Sequence, residues 1–130
     1  MAARQWLRHR PWLSRWAPLL AWMGLIFMLS AQSSLPTPDS DWLRRLISSS
    51  AHVFVFGVLA VLWLRVLGKG RWAWAVALGL TMLYALSDEF HQTFVPGRVA
   101  DPWDLFCDGL GAVLMLLAFA WLWRGREELP

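Results

Sequence analysis

Four long apolar runs, separated by short polar connections, constrain the fold of this chain more than any other feature. Hydrophobic residues make up 58% of the 130 residues and charged residues only 16%, and the apolar runs cover about residues 16–34, 50–67, 72–88 and 103–123. A helix needs about 20 apolar residues to cross the ~30 Å hydrocarbon core of a bilayer, and extension into the interface lengthens a short run. The sequence therefore predicts an all-α integral membrane protein, a four-helix bundle with four spans.

Tryptophan marks the ends of these runs. The indole ring prefers the membrane–water interface, where its apolar body is buried and its N–H stays hydrated. Of the 11 tryptophans, those at or near the predicted ends are Trp12, Trp16, Trp42, Trp63, Trp72, Trp74, Trp103, Trp121 and Trp123. This placement supports the predicted span boundaries.

Lysine and arginine are distributed unevenly between the two sides of the predicted bundle. One side carries nine of the 12, namely Arg4, Arg8, Arg10, Arg15, Arg65, Lys69, Arg71, Arg124 and Arg126. The other side carries Arg44, Arg45 and Arg98. The positive-inside rule then predicts an antiparallel up-down bundle with both termini in the cytoplasm. Residues 1–15 form a basic cytoplasmic tail, residues 16–123 the transmembrane domain, and residues 124–130 a second cytoplasmic tail.

The positions of Lys and Arg also indicate which kind of partner the basic character of the chain suits. A sequence pI of about 10.0 is typical of nucleic-acid binding, but the basic residues flank the apolar runs and form no patch. Such flanking residues favour anionic lipid headgroups, so membrane lipids are the predicted partners and nucleic acid is not. The single cysteine, Cys107, excludes an internal disulfide. The sequence leaves the oligomeric state open.

The N-terminus allows a second interpretation. Arginines precede the first apolar run, and Ala31-Gln32-Ser33 has small residues at the spacing of a signal-peptide cleavage site. The run of residues 16–34 is long for a signal peptide, which favours a retained span. Cleavage would not invert the remaining spans.

The connections between the apolar runs predict where helices end and begin. Leu35-Pro36-Thr37-Pro38 predicts the end of the first helix, and Asp39 or Ser40 is a candidate cap for the next one. Apolar residues in 41–49 share a helical face, which predicts an interfacial helix leading into the second span. The alternative is that residues 41–49 are simply the start of that span. Residues 68–71, Gly-Lys-Gly-Arg, predict a tight turn.

Ionisable residues concentrate in one stretch, residues 87–111, with the sequence SDEFHQTFVPGRVADPWDLFCDGLG. It holds five of the nine acidic residues, and the other predicted spans also bring polar groups to the same, outer end. Ionisable groups at membrane depth are energetically unfavourable, so they usually face a bundle interior or a wet cavity. The stretch is therefore the candidate functional site.

Spacing adds detail to this site. Asp88, His91 and Gln92 share one helical face at i, i+3 and i+4, and Asp104 and Asp108 share another at i and i+4. Two carboxylates at that spacing repel unless a cation lies between them, and Arg98 or a metal ion are the two candidates. Gly109 and Gly111 allow another helix or a lipid tail to approach closely.

The stretch YALSDEFHQTFVPGRVADPWDLFCDGLGA resembles the signature of VanZ-like membrane proteins, as do FMLSAQSSLP and HVFVFGVLAVL in the first two spans. The resemblance covers most of the chain. The matching positions are His52, Tyr84, Asp88, Glu89, His91, Gln92, Pro96, Arg98, Asp104, Asp108 and Gly111. Ser49 stands where relatives often have Lys, and Asp108 where Asn is common. The resemblance implies an envelope-facing protein of the bacterial cytoplasmic (inner) membrane, in a family linked to teicoplanin resistance.

The first functional hypothesis is binding of an envelope lipid, a lipid-linked precursor or a headgroup at the outer site, with an effect on glycopeptide susceptibility implied by the resemblance. Arg98 would contact phosphate through its bidentate guanidinium, and neighbouring side chains would donate hydrogen bonds. The candidate ligand-binding residues are His52, Tyr84, Asp88, Glu89, His91, Gln92, Arg98, Asp104 and Asp108.

Two alternatives stay open. In the structural one, Asp88, Arg98 and Asp104 hold the last two helices together through an ion network, and the chain acts by binding a partner. In the enzymatic one, a metal-assisted hydrolase or transferase uses His91 as general acid or base, oriented by Asp88. The catalytic candidates are His91, Asp88 and Glu89, and the metal candidates His91, Asp88, Asp104 and Asp108. Because no nucleophile–base pair or HExxH motif is present, no catalytic role and no cofactor are assigned.

Overall fold

The computed structural model describes residues 11–33, 39–68 and 70–127, and within them the chain forms four α-helices and no strand. The helices are α1 (Pro11–Ser30), α2 (Asp41–Leu67), α3 (Ala73–Gln92) and α4 (Pro102–Glu127). The prediction of an all-α fold with four helices is confirmed. The predicted break at Leu35-Pro36-Thr37-Pro38 lies outside the described residues.

Three of the described helices are long and apolar enough to cross a membrane: Trp12–Ser30, Asp41–Leu67 and Pro102–Arg124. These helices indicate a membrane protein. The helix α3 is not among the three, and its C-terminal part carries Asp88, Glu89, His91 and Gln92. The predicted third span, residues 72–88, therefore stays a prediction.

The helix α2 runs without a break for 27 residues, so residues 41–49 are its first turns and not a separate interfacial helix. Ser40 occupies the N-cap position with extended backbone, but its side chain forms no capping hydrogen bond. At the other end, Gly68 has φ +79° and its N–H donates to the Leu64 carbonyl at 2.9 Å. Glycine suits this left-handed position because it has no Cβ.

A defined turn joins α3 to α4. The Arg98 N–H donates to the Val95 carbonyl at 3.1 Å, with Pro96 and Gly97 between them and Gly97 at φ +79°, as in a type II turn. The side chain of Asp101 then caps α4, because its Oδ1 accepts from the Trp103 N–H at 2.9 Å. These two devices fix the start of α4 relative to the end of α3.

Small residues let α2 and α4 approach each other closely. A Cβ added at Gly111 would overlap the backbone carbonyl of Val53, and one added at Gly57 would lie 2.9 Å from the Gly111 carbonyl oxygen. The predicted role of Gly111 in close helix approach is confirmed, while Gly109 lies against the side chain of Met82. The contact extends into an apolar core that includes Ala60, Leu64, Ala112 and Leu116.

Candidate functional site

All four helices contribute buried or half-buried polar side chains to the candidate site. The buried ones are Ser30, Asp88, Glu89, Gln92 and Asp108, and His52 and Asp104 are half-buried. Buried polar groups need partners, so their hydrogen bonds define the site. They fall into two groups that face different neighbours.

The first group is the histidine–carboxylate cluster, formed by His52, Glu89, Asp104 and Asp108. The Nδ1 atom of His52 lies 2.8 Å from Asp108 Oδ1, and its Nε2 atom lies 3.6 Å from Asp104 Oδ2. The imidazole of α2 thus lies between the two carboxylates of α4. The sequence offered Arg98 or a metal ion for this place, and the structure places His52 there.

Glu89 joins this cluster from α3. Its Oε2 accepts a hydrogen bond from the Asp101 N–H at 2.9 Å, which ties the end of α3 to the cap of α4. The Oε1 atom of Glu89 and the Oδ2 atom of Asp108 are buried and have no hydrogen-bond partner among the described residues. Potential ligand atoms of His52, Glu89 and Asp108 lie within 4.8 Å of one another. The cluster is therefore compact, acidic and incompletely hydrogen-bonded.

The second group is the Asp88 pocket, formed by Asp88, Ser30 and Gln92. The Ser30 hydroxyl donates to Asp88 Oδ2 at 2.8 Å, and the Gln92 amide donates to the same oxygen at 3.2 Å. The predicted common face of Asp88 and Gln92 is thus observed. Both donors are neutral and both bond to Oδ2, and the Ser30 bond links α1 to α3.

Tyr84 and His91 have separate environments. The Tyr84 hydroxyl donates to the Met23 carbonyl at 2.6 Å, which is a second link between α1 and α3. The His91 ring stacks on Phe27 with centroids 4.4 Å apart. No described residue bonds to the buried Nδ1 of His91, and Asp88 bonds elsewhere. The orientation of His91 by Asp88, which the enzymatic hypothesis requires, is therefore not observed.

A cavity of about 500 Å³ lies between α1, α2 and the turn that follows α3. Its wall includes apolar side chains, among them Ile26 and Val55, and polar ones, among them His52, Asp88 and Gln92. Two arginines complete the lining, Arg44 and Arg98. The cavity thus touches both polar groups and offers positive charge.

Arg98 is placed differently from the structural hypothesis. Its Nε donates to the Gln32 carbonyl at 3.2 Å, a contact between the turn and the end of α1. Within residues 11–33, 39–68 and 70–127 it forms no salt bridge with Asp88 or Asp104. The expected Asp88–Arg98–Asp104 network is therefore replaced by a backbone contact, because the Pro96-Gly97 turn directs the arginine toward α1.

Three residues outside the predicted site set complete it: Ser30, Ser49 and Asp101. Ser30 binds Asp88, Asp101 binds Glu89, and the Ser49 hydroxyl accepts from the Trp103 indole N–H at 3.0 Å. The Asp-Pro pair at 101–102 is a helix-start signal that sequence reading could have used. Nothing in the sequence distinguished Ser30 from the other serines near the end of the first run, whereas Ser49 stood out as the position where relatives often have Lys.

The described residues form four helices around buried polar groups, and three of these helices are suited to span a membrane, which indicates a helical membrane protein. The VanZ/LLP1 family model matches residues 15–124, and the chain belongs to this family. The matched region contains both polar groups, and the resemblance seen in the sequence is confirmed. No curated protein and no solved structure shows significant similarity to the chain.

Proposed function

We propose that this protein binds an anionic envelope-lipid headgroup, of a membrane lipid or a lipid-linked precursor, in the cavity between α1 and α2. One observation carries the proposal: a cavity of about 500 Å³ combines an apolar wall with Arg98. Ligand cavities typically occupy roughly 300–1,000 Å³ and combine apolar walls with a few polar groups that fix orientation. A molecule with apolar tails and a charged head matches both parts of the lining.

Arg98 is the proposed anion contact. Its guanidinium has five N–H donors, and the bond to Gln32 uses the one on Nε. The Nη groups form no hydrogen bond with the described residues and can bind two oxygens of one phosphate. Arg44, also in the lining, adds positive charge. Two arginines against one carboxylate, that of Asp88, favour an anionic headgroup over a zwitterionic one.

The geometry narrows the set of proposed ligand contacts. His52, Asp88, Gln92 and Arg98 belong to the cavity lining. Tyr84 already donates its hydroxyl proton to Met23, so its proposed role is to fix α3 against α1. Glu89, His91, Asp104 and Asp108 are not among the residues of the cavity wall.

The proposed topology is an antiparallel up-down bundle with both termini in the cytoplasm and the cavity facing outward from the bacterial inner membrane. An Arg65 Nη donates to the Ser14 carbonyl at 3.2 Å, which joins the end of α2 to the start of α1 and supports antiparallel packing. Nine of the 12 Lys and Arg residues lie on the predicted side of the two termini, and this excess supports placing that side in the cytoplasm. A reporter fused after Pro130 should be active only on the cytoplasmic side, and activity outside would contradict the topology.

An effect on glycopeptide susceptibility is the finer part of the proposal, and the family's name supports it. If the site binds a lipid-linked envelope precursor, deletion of the gene should change susceptibility to teicoplanin. Unchanged susceptibility in the deletion strain would remove this part and leave lipid binding intact.

The decisive experiment compares Arg98→Lys with Arg45→Lys. Arg45 is exposed on α2 and is not among the residues of the cavity wall, so it is a matched control. Native mass spectrometry in nanodiscs containing phosphatidylglycerol and phosphatidylcholine should show an anionic-lipid adduct for the wild type and Arg45→Lys. Arg98→Lys should lose about tenfold in adduct occupancy, since lysine lacks the bidentate geometry.

Two outcomes would contradict the proposal. Equal adducts in both variants would remove Arg98 as the anion contact. Absence of any lipid adduct in folded wild-type protein would favour the structural alternative, in which the polar residues only hold the helices together.

A further inference from the structure

We infer that the histidine–carboxylate cluster binds one divalent transition-metal cation, of the Zn²⁺ or Mn²⁺ type, through His52, Glu89 and Asp108. The three residues come from three different helices, and potential ligand atoms of each lie within 4.8 Å of one another. Imidazole nitrogen with carboxylate oxygen is a donor set that these cations accept. The inference is independent of lipid binding, although His52 also lines the cavity.

Unpartnered buried oxygens give the second observation. Glu89 is 7% exposed and Asp108 is 1% exposed, yet Glu89 Oε1 and Asp108 Oδ2 accept no hydrogen bond from the described residues. Leaving a buried charged acceptor unsatisfied is strongly unfavourable. Both oxygens belong to the residues whose ligand atoms converge, so a cation bound there would satisfy them together.

Charge balance supports the same conclusion. Glu89, Asp104 and Asp108 bring three carboxylates to one imidazole, and no Lys or Arg of the described chain forms a salt bridge with them. One protonated histidine supplies a single positive charge. A divalent cation supplies two and brings the cluster closer to neutrality, with Asp104 adding to the field from 3.6 Å away from His52 Nε2.

The Asp88 pocket is the internal comparison. Its carboxylate is similarly buried, at 5% exposure, but Oδ2 accepts from two neutral donors, and Asp88 has no buried oxygen without a partner among the described residues. Of the two buried acids of α3, only Glu89 has a buried oxygen without a partner among the described residues and lies beside other carboxylates. We therefore expect Glu89, and not Asp88, to bind metal.

The experiment uses the full chain in lipid nanodiscs, purified without a histidine tag and treated with a chelator. Titration with Zn²⁺, Mn²⁺ and Ca²⁺ is followed by calorimetry and elemental analysis. Wild type and the control Asp88→Asn should bind one Zn²⁺ or Mn²⁺ per chain and bind Ca²⁺ weakly. Glu89→Gln and Asp108→Asn, which keep side-chain shape, should bind at least about 100-fold more weakly.

Several results would overturn the inference. These are a folded wild type that binds no ion, preference for Ca²⁺, or unchanged binding in both cluster variants. If a variant fails to fold by circular dichroism, X-ray absorption of the metal-loaded wild type decides. It should show a mixed nitrogen and oxygen shell with one imidazole, and an all-oxygen shell or several imidazoles would contradict the assignment.

Discussion

Two adjacent residues of α3, Asp88 and Glu89, show how differently this bundle treats two buried carboxylates. Asp88 faces α1, where the Ser30 hydroxyl and the Gln92 amide donate to it. Glu89 faces α4, where it accepts the Asp101 N–H and meets His52 and Asp108. Successive residues on a helix point about 100° apart, so neighbours in sequence reach different partners.

This difference separates a structural device from an incomplete site. In the Asp88 pocket two neutral donors bond to Asp88 Oδ2, and the bond from Ser30 links α1 to α3. The histidine–carboxylate cluster collects more negative charge than its one imidazole can balance and keeps two acceptor oxygens unpartnered. Unpaired buried polar groups often mark functional sites, which is why the metal site is proposed at the cluster and not at the Asp88 pocket.

The largest expected effect comes from separating α2 and α4 beneath the cluster. Gly111→Ala places a Cβ on the Val53 backbone, which no side-chain rotation relieves. We expect a loss of stability of more than about 5 kcal/mol, beyond the ~1–3 kcal/mol typical of overpacking, and separation of His52 from Asp108. Gly79→Ala is the control, since nothing lies within 4 Å of its added Cβ. Thermal unfolding in detergent measures both, and equal midpoints would contradict the observed helix approach.

A smaller loss of stability is expected when one side chain is removed from the histidine–carboxylate cluster or from the Asp88 pocket, and the two losses should differ. His52→Ala removes the hydrogen-bond partner of Asp108 Oδ1 and leaves the acids of α4 unbalanced, with an expected loss of about 3–5 kcal/mol. Ser30→Ala leaves Asp88 with its Gln92 donor and should destabilise by about 1–3 kcal/mol. Reversible unfolding in mixed micelles gives both free energies. A larger loss for Ser30→Ala would reverse the proposed comparison.

The smallest expected effect is a change in the free energy of unfolding that has opposite signs in two variants. It is measured in the presence of a chelator. Glu89→Gln removes one negative charge from a crowded cluster and keeps an acceptor for Asp101, so stability should stay constant or rise by about 1 kcal/mol. Asp88→Asn weakens two charge-assisted hydrogen bonds and should lower stability by about 1 kcal/mol. The same unfolding experiment checks both signs. Loss of stability in both variants would mean that the cluster is as well satisfied as the pocket.

Much of the fold follows from local sequence. Apolar runs of sufficient length predict helices, Gly68 and the Pro96-Gly97 pair mark turns, and Gly111 marks a close helix contact. Helical spacing also placed Asp104 and Asp108 on one face, which the structure shows around His52. The start of α2 was the least accurate part, because residues 41–49 are amphipathic enough to suit either a separate helix or a longer one.

The sequence by itself determined the helices, their polar ends and the family to which the chain belongs. Only the tertiary structure decided which polar groups meet: His52 with Asp108 across 56 residues, Ser30 with Asp88 across 58, and Arg98 with a backbone carbonyl instead of an acid. The physical reason is that periodicity fixes which residues share a face of one helix. The rotation and depth of each helix against its neighbours depend on close contacts such as Gly111 with Val53, which form only when the helices pack.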